Sequence, residues 1–260
     1  MVNSVTIFGD SWATHSYKKI QHQDDQTPLS LFKPGTNLPG GEEPGELNFE
    51  KLFAKFNITI NNFAKGGSSN NQILDSIKKH LLTAQNSDVI LICQTDPLRD
   101  VRGIDNIDKL NQIEYCNNMN EVAEHLCRKF YEQLSEIQKQ INKPFLLFAG
   151  CSKICKKYVP LNLNYITPSW TQITDNTLEV DSYYGDGHIV LIIHDFLMKK
   201  FKWNPVSAKE EFLKIQQVLD ARSYLWQTNN NFGWVHPGNG AYQTMFDAII
   251  EKIGVLNVSS

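Results

Sequence analysis

Asp88-Val89-Ile90-Leu91-Ile92-Cys93 carries five consecutive apolar residues after its aspartate. A strand of this composition has no polar face to offer water, so both of its faces must be covered. A central parallel strand with helices packed above and below meets that condition. Pro144 to Ala149 (PFLLFA) repeats the pattern, and Val2 to Phe8 is a short β-branched run that ends at Gly9. Asn57 to Phe63 (NITINNF) is β-branched and alternating, and reads as a further strand. Between these strands the apolar spacing turns helical. Leu47 to Phe56 is one such segment, and Asn70 to Leu82 is a second, with Ile73, Ile77 and Leu81 at i, i+4, i+8. Asn118 to Ile141 is a third, with Val122, Leu126, Phe130, Leu134 and Ile137 along one side. Strands alternating with helices imply an α/β fold, a flavodoxin-like three-layer α/β/α sandwich around a central parallel sheet.

The remaining segments are less regular. Residues 33–46 (KPGTNLPGGEEPGE) hold three prolines and four glycines, a density of breakers that predicts a long surface loop without regular structure. From Cys151 to about Gly187 the pattern predicts loop with at most one short strand. His188 to Phe201 and Ser207 to Gln227 read as helices, the second opening with Ser207 three residues before Glu210 as a capping box. Together they form a helical insertion near 188–227. A last helix, about Gly240 to Ile253, follows a loop at 229–239. The 260 residues, 41% apolar and 20% charged, fit a single domain spanning 1–260.

Composition excludes several classes. With 25 Lys+Arg against 28 Asp+Glu the net charge is −3, which lacks the basic surplus that a nucleic-acid partner demands. The start, MVNSVTIFGDS, has no basic segment ahead of an apolar run of signal length, and no stretch of 18 apolar residues occurs. A soluble, cytoplasmic protein with no membrane span is the expectation. The five cysteines are odd in number and sit mostly in apolar or helical surroundings, which favours reduced thiols over a disulfide framework.

Open parallel sheets place ligands at the carboxyl ends of their strands. The residues found there are Gly9-Asp10-Ser11, Ala64-Lys65-Gly66-Gly67-Ser68-Ser69-Asn70 and Gln94-Thr95-Asp96-Pro97, with His236-Pro237 ahead of the last helix. A serine directly after a buried strand, preceded by glycine, can expose its hydroxyl where backbone N–H groups point outward. Ser11 is therefore a candidate nucleophile with an oxyanion donor built in.

These segments, in this order, resemble the SGNH or GDSL-type hydrolase family along nearly the whole chain. Val5-Thr6-Ile7-Phe8-Gly9-Asp10-Ser11 matches the family's first block, which implies Ser11 as nucleophile, with its own N–H in the oxyanion hole and Asp10 beside it. Asn62 followed by Gly67 matches the second block and implies a second backbone donor at Gly67. The third block of the family ends in Gly-x-Asn-Asp, whereas this chain reads Cys93-Gln94-Thr95-Asp96. The Gln94 amide, the Thr95 hydroxyl or Asn70 could replace the missing asparagine donor. The last block is Asp-x-x-His-Pro, and here Gly233-Trp234-Val235-His236-Pro237 keeps the general base without its orienting acid. A backbone carbonyl near Gly233, or a carboxylate such as Asp186 or Asp181, could take that role.

The resemblance implies an acyl-enzyme esterase that needs no metal or organic cofactor. It further implies a small acyl ester as substrate, often an acetyl group on a carbohydrate. An O-acyltransferase that hands the acyl group to a sugar hydroxyl is the first alternative. A binding protein whose catalytic machinery has degenerated is the second. Taken singly, each feature has a plainer origin: Gly-Asp-Ser as a turn, Gly67 as a strand-to-helix turn with Ser69 or Asn70 as N-cap, His236 as a solvated loop residue. Cys151 and Cys155 lack the spacing and partners of a zinc site, and His188 and His194, with Asp186, fall on different helix faces. Trp234, two residues before His236, could line a pocket. If the site is real, Ser11 and His236 stand within hydrogen-bond reach, and Gln94 or Thr95 points a donor at the same hollow.

Overall fold

The computed structural model describes residues 2–19, 42–101, 113–150, 152–167, 169, 197–200, 202, 210, 213 and 238–258. In chain order the strands are β1 (Ser4–Phe8), β2 (Tyr17–Lys19), β3 (Glu42–Pro44), β4 (Thr59–Asn62), β5 (Val89–Gln94), β6 (Phe145–Ala149) and β7 (Asn164–Tyr165). The helices are α1 (Phe49–Ala54), α2 (Asn70–Lys79), α3 (Leu81–Gln85), α4 (Met119–Ile141) and α5 (Asn239–Val258). Five strands build one sheet in the order β4-β1-β5-β6-β7, with every pairing parallel. Thr6 faces Asn61 of β4 on one side and Ile90 of β5 on the other. From β1 the chain moves outward to β4, then returns to β5 and continues in the opposite direction, so the order reverses between β1 and β5. Such a reversal opens a crevice beyond the carboxyl ends of the two strands.

Strand alternation feeds two cores. Val5, Ile7, Val89, Leu91, Cys93, Leu146 and Phe148 face α1 and α5, where Phe49, Phe53, Tyr242 and Phe246 pack. Phe8, Ile90, Ile92, Phe145, Leu147 and Ala149 face α2 and α4, against Ile73, Ile77, Phe130 and Leu134. This is the three-layer α/β/α arrangement that the apolar run at 88–93 requires. The start of β1 is fastened to β5 by Asp88, whose Oδ2 accepts from the N–H groups of Asn3 at 2.7 Å and Ser4 at 3.0 Å. The Asn3 N–H, more than any other contact, holds that carboxyl below the usual aspartate range.

The structure departs from the sequence expectations in two places. Residues 33–46 are not wholly irregular: Glu42–Pro44 forms β3, paired antiparallel with β2. Pro44 stands opposite Tyr17 at the end of this two-stranded ribbon, a position where its missing N–H is tolerated. The single helix expected over Asn70 to Leu82 breaks at His80, whose backbone (φ −108°, ψ 30°) leaves the helical region and divides α2 from α3. There the His80 ring stacks on Phe63 with 3.9 Å between centroids. β7 is the one short strand in the described part of 151–187. Of the insertion near 188–227, only residues 197–200, 202, 210 and 213 are described, and 197–200 are helical.

Candidate active site

The short segments directly after β1, β4 and β5 are bonded to one another at the crevice. β1 ends at Phe8, Gly9 follows, and Asp10 caps a short 3-10 turn over Ser11–Ala13 by accepting the Trp12 N–H at 3.0 Å. Ser11 is thereby the first residue of the turn, 8% exposed. Asp10 is 1% exposed, and its remaining contacts stabilise the buried charge. Oδ2 accepts the Thr95 hydroxyl at 2.6 Å and Nη1 of Arg99 at 3.2 Å, while the Cys93 thiol lies 3.9 Å from Oδ1. The residue preceding Ser11 is thus locked to the segment that follows β5.

The loop after β4 closes over the same point. The Lys65 N–H donates to the Gly9 carbonyl at 3.0 Å, and the Ser68 N–H turns back to the Lys65 carbonyl at 3.2 Å. Gly66 and Gly67 form the tip between these anchors. A Cβ built on Gly66 would lie 3.7 Å from that of Ser11, whereas one on Gly67 meets nothing within 4 Å. Gly67 has φ +76°, a left-handed backbone for which glycine is suited. Among the described residues neither the Gly66 nor the Gly67 N–H meets an acceptor. Asn62, the other half of the second block, donates to the Ala13 carbonyl at 3.1 Å and accepts the Ala64 N–H at 3.0 Å, tying this loop to the Ser11 turn. Gly9, Gly66 and Gly67 also border a hollow of about 460 Å³ walled by Phe63, Ser76 and His80.

The expected side-chain donor from Gln94 or Thr95 is not available. The single hydroxyl proton of Thr95 goes to Asp10. The Gln94 amide donates to Ser152 Oγ at 3.4 Å and lies 3.8 Å from Cys127 Sγ, and its oxygen accepts from Tyr131 at 2.6 Å. Both residues are fully buried, so their polar groups must be satisfied inside the fold. Asn70 is bound to the Thr95 backbone, donating to its carbonyl at 3.2 Å and accepting its N–H at 3.1 Å. Asp10 and Thr95 are therefore in direct contact, Asn70 joins them through the Thr95 backbone, and Gly66 faces Ser11. His236, Trp234, Gly233, Asp186, Asp181, His188, His194 and Cys151 lie outside the described residues. The other four cysteines are buried. Among the described residues no three metal-ligating side chains cluster, and no helix is long and apolar enough to cross a membrane.

The sequence places Gly66 and Ser68 at the strand end without a role for either, and does not single out Arg99. Gly66 adjoins Gly67, and only the loop geometry tells the two apart. Arg99 belongs to no motif in Asp96-Pro97-Leu98-Arg99-Asp100. Its only signal is its place four residues beyond Thr95, just past a strand end.

The sequence matches no protein-family profile and no curated protein. Solved structures similar to it include a mutant of an acetylxylan esterase from Geobacillus stearothermophilus, 12% identical, covering 97% of this chain and 94% of that one, with a TM-score of 0.38. A protein described as a GDSL-like lipase from Parabacteroides merdae is 14% identical over 96% and 95%, with a TM-score of 0.39. A further acetyl xylan esterase is 14% identical over 95% and 99%, with a TM-score of 0.37.

Proposed function

We propose that this chain is a serine ester hydrolase of the SGNH/GDSL type, acting through an acyl-enzyme on Ser11. The observation that carries the proposal is the placement of Gly9-Asp10-Ser11 at the β1/β5 reversal, with the Gly66–Gly67 loop against Ser11. Ser11 attacks the ester carbonyl, His236 takes its proton and returns it to the leaving alcohol, and water then releases the acyl group. The Ser11 and Gly67 N–H groups, with Gly66 as the other tip donor, stabilise the oxyanion. One fact supports this assignment: the tip N–H groups have no acceptor among the described residues. Gln94 and Thr95, committed elsewhere, add no donor. His236 stands three residues before Asn239, whose Oδ1 accepts the Ser16 hydroxyl at 2.6 Å. That bond ties the start of α5 to the segment leaving Ser11, and three residues of extended chain span at most about 11 Å. The substrate class is a small acyl ester, with an O-acetyl group on a carbohydrate as the first candidate, as the motif resemblance implies.

The test is intact mass after incubation with a fluorophosphonate, followed by p-nitrophenyl acetate turnover. One adduct is expected on the wild type, none on Ser11→Ala, and strongly slowed labelling on His236→Ala. Added sugar acceptors then separate transfer from hydrolysis. A second reading, a non-catalytic binding protein, is favoured by the inward-turned Gln94 and Thr95. Absence of both adduct and turnover in the wild type selects it.

A further inference from the structure

Arg99 occupies the short 3-10 segment Pro97–Val101 directly after β5, and its side chain is 12% exposed. A single nitrogen, Nη1, stands 3.2 Å from Asp10 Oδ2 and 3.3 Å from the Ser68 carbonyl. A guanidinium Nη carries two hydrogens in one plane, so one nitrogen can serve both acceptors. Those acceptors belong to the two halves of the candidate site. Asp10 immediately precedes Ser11, and Ser68 immediately follows Gly67.

The Gly66–Gly67 tip is held at two ends. Its entry is fixed by the backbone bond from Lys65 to the Gly9 carbonyl. Its exit is held by the Ser68 N–H on the Lys65 carbonyl and by Asn70 on the Thr95 backbone, and Arg99 ties the Ser68 carbonyl directly to Asp10 beside Ser11. Two glycines between two anchors have little intrinsic stiffness, so the distance from Ser11 to their N–H groups depends on both ends. A counter-charge for a buried carboxylate needs only the Asp10 contact. The second bond, to a loop carbonyl, is not required for neutralisation; it satisfies a further donor of the guanidinium and in doing so ties Ser68 to Asp10.

We propose that Arg99 is a positioning residue that sets the Gly66–Gly67 donors at their working distance from Ser11, a role that rests on the Ser11 reading above. The bond to Ser68 is to a backbone carbonyl behind the donors, so its loss is expected to act on the chemical step more than on ground-state binding.

The experiment is steady-state kinetics of p-nitrophenyl acetate hydrolysis on wild type, Arg99→Lys and Arg99→Ala, each with its melting temperature and with guanidinium added to Arg99→Ala. Arg99→Lys keeps the charge beside Asp10 but not the planar two-acceptor geometry, and serves where Arg99→Ala fails to fold. In either variant kcat is expected to fall about 10- to 100-fold, the size of effect a displaced catalytic group produces, with KM changed less than twofold. Guanidinium is expected to restore part of kcat in Arg99→Ala. Wild-type kcat in folded Arg99→Lys, with only the melting temperature lowered, overturns the positioning role while leaving Ser11 labelling intact. A loss carried entirely by KM overturns it as well. A wild type that takes no fluorophosphonate on Ser11 removes the underlying reading, and this role with it.

Discussion

A methyl group on Gly9 would sit 2.6 Å from Cys93 Cβ, closer than carbon atoms approach in folded proteins, and a tight 3.0 Å from Ala13 Cβ. Neither neighbour can yield easily, because Cys93 lies in the central strand and Ala13 closes the turn that carries Ser11. Gly9→Ala is therefore expected to cost about 1–3 kcal/mol by overpacking, and to slow Ser11 labelling by shifting the turn. Gly67→Ala makes the opposite case. Its Cβ would meet no atom, but φ +76° penalises any side chain by about 1–2 kcal/mol. Urea titration of the two variants separates these causes when combined with a second substitution. Cys93→Gly is destabilising by itself, but should cost less in Gly9→Ala than in the wild type, and as much in Gly67→Ala as in the wild type. Equal responses would mean that the Cys93 contact is not the source of the loss.

Among the elements, those with continuous apolar sequence were legible almost to the residue. DVILIC became a strand displaced by one position and PFLLFA a strand one residue shorter at its start, because burial on both faces leaves a strand little alternative. What local sequence could not carry was pairing across long separations. Glu42–Pro44 pairs with Tyr17–Lys19, and neither triplet has a strand signature of its own. The break at His80 was hidden because the apolar period of Ile73, Ile77 and Leu81 continues through it, while a contact from outside the helix, the Phe63 ring, holds the histidine. In the candidate site the serine and its glycines were legible as a motif. The inward commitment of Gln94 was not, because it depends on Tyr131 and Ser152 from distant elements. Helix α4 offers a test at this scale. Its His125 accepts or donates at Nδ1 with Tyr115, and its buried Nε2 has no hydrogen-bond partner among the described residues. Burial lowers the histidine pKa, Arg128 and Lys129 lower it further, and Glu132 opposes them. The unfolded chain therefore binds this proton more readily than the folded one. The contribution of neutral His125 is complete above the ordinary histidine value and is lost as pH falls through it. The melting temperature is expected to drop between pH 7.5 and 5, and His125→Leu to flatten that drop. Identical slopes would remove His125 from the account.

Across the whole molecule, three remote stretches meet at Ser16, which is fully buried. Its hydroxyl donates to Asn239 Oδ1 at the start of α5 and accepts the Leu47 N–H at 3.1 Å, while its backbone bonds Leu47 and Gly45. The segment leaving Ser11, the approach to α1 and the first turn of the last helix are thus held by one side chain. α5 also supplies bulk to the core: Tyr242 lies 4.8 Å from Phe49 and Phe246 lies 5.0 Å from Phe53, centroid to centroid. These two attachments should separate experimentally. Phe246→Ala opens a cavity some two helical turns from Asn239 and should cost about 3–5 kcal/mol, with little change in the labelling rate of the protein that remains folded. Ser16→Ala removes both bonds of the hydroxyl and should cost less, about 1–3 kcal/mol. Yet it releases the tether three residues from His236, so Ser11 labelling should slow by tenfold or more on the estimate for a misplaced group. The comparison is made below the melting point of both variants, with the folded fraction measured independently. If the core variant slows labelling as much as Ser16→Ala does, the start of α5 is placed by packing alone, and the Ser16–Asn239 bond has no part in bringing a base to Ser11.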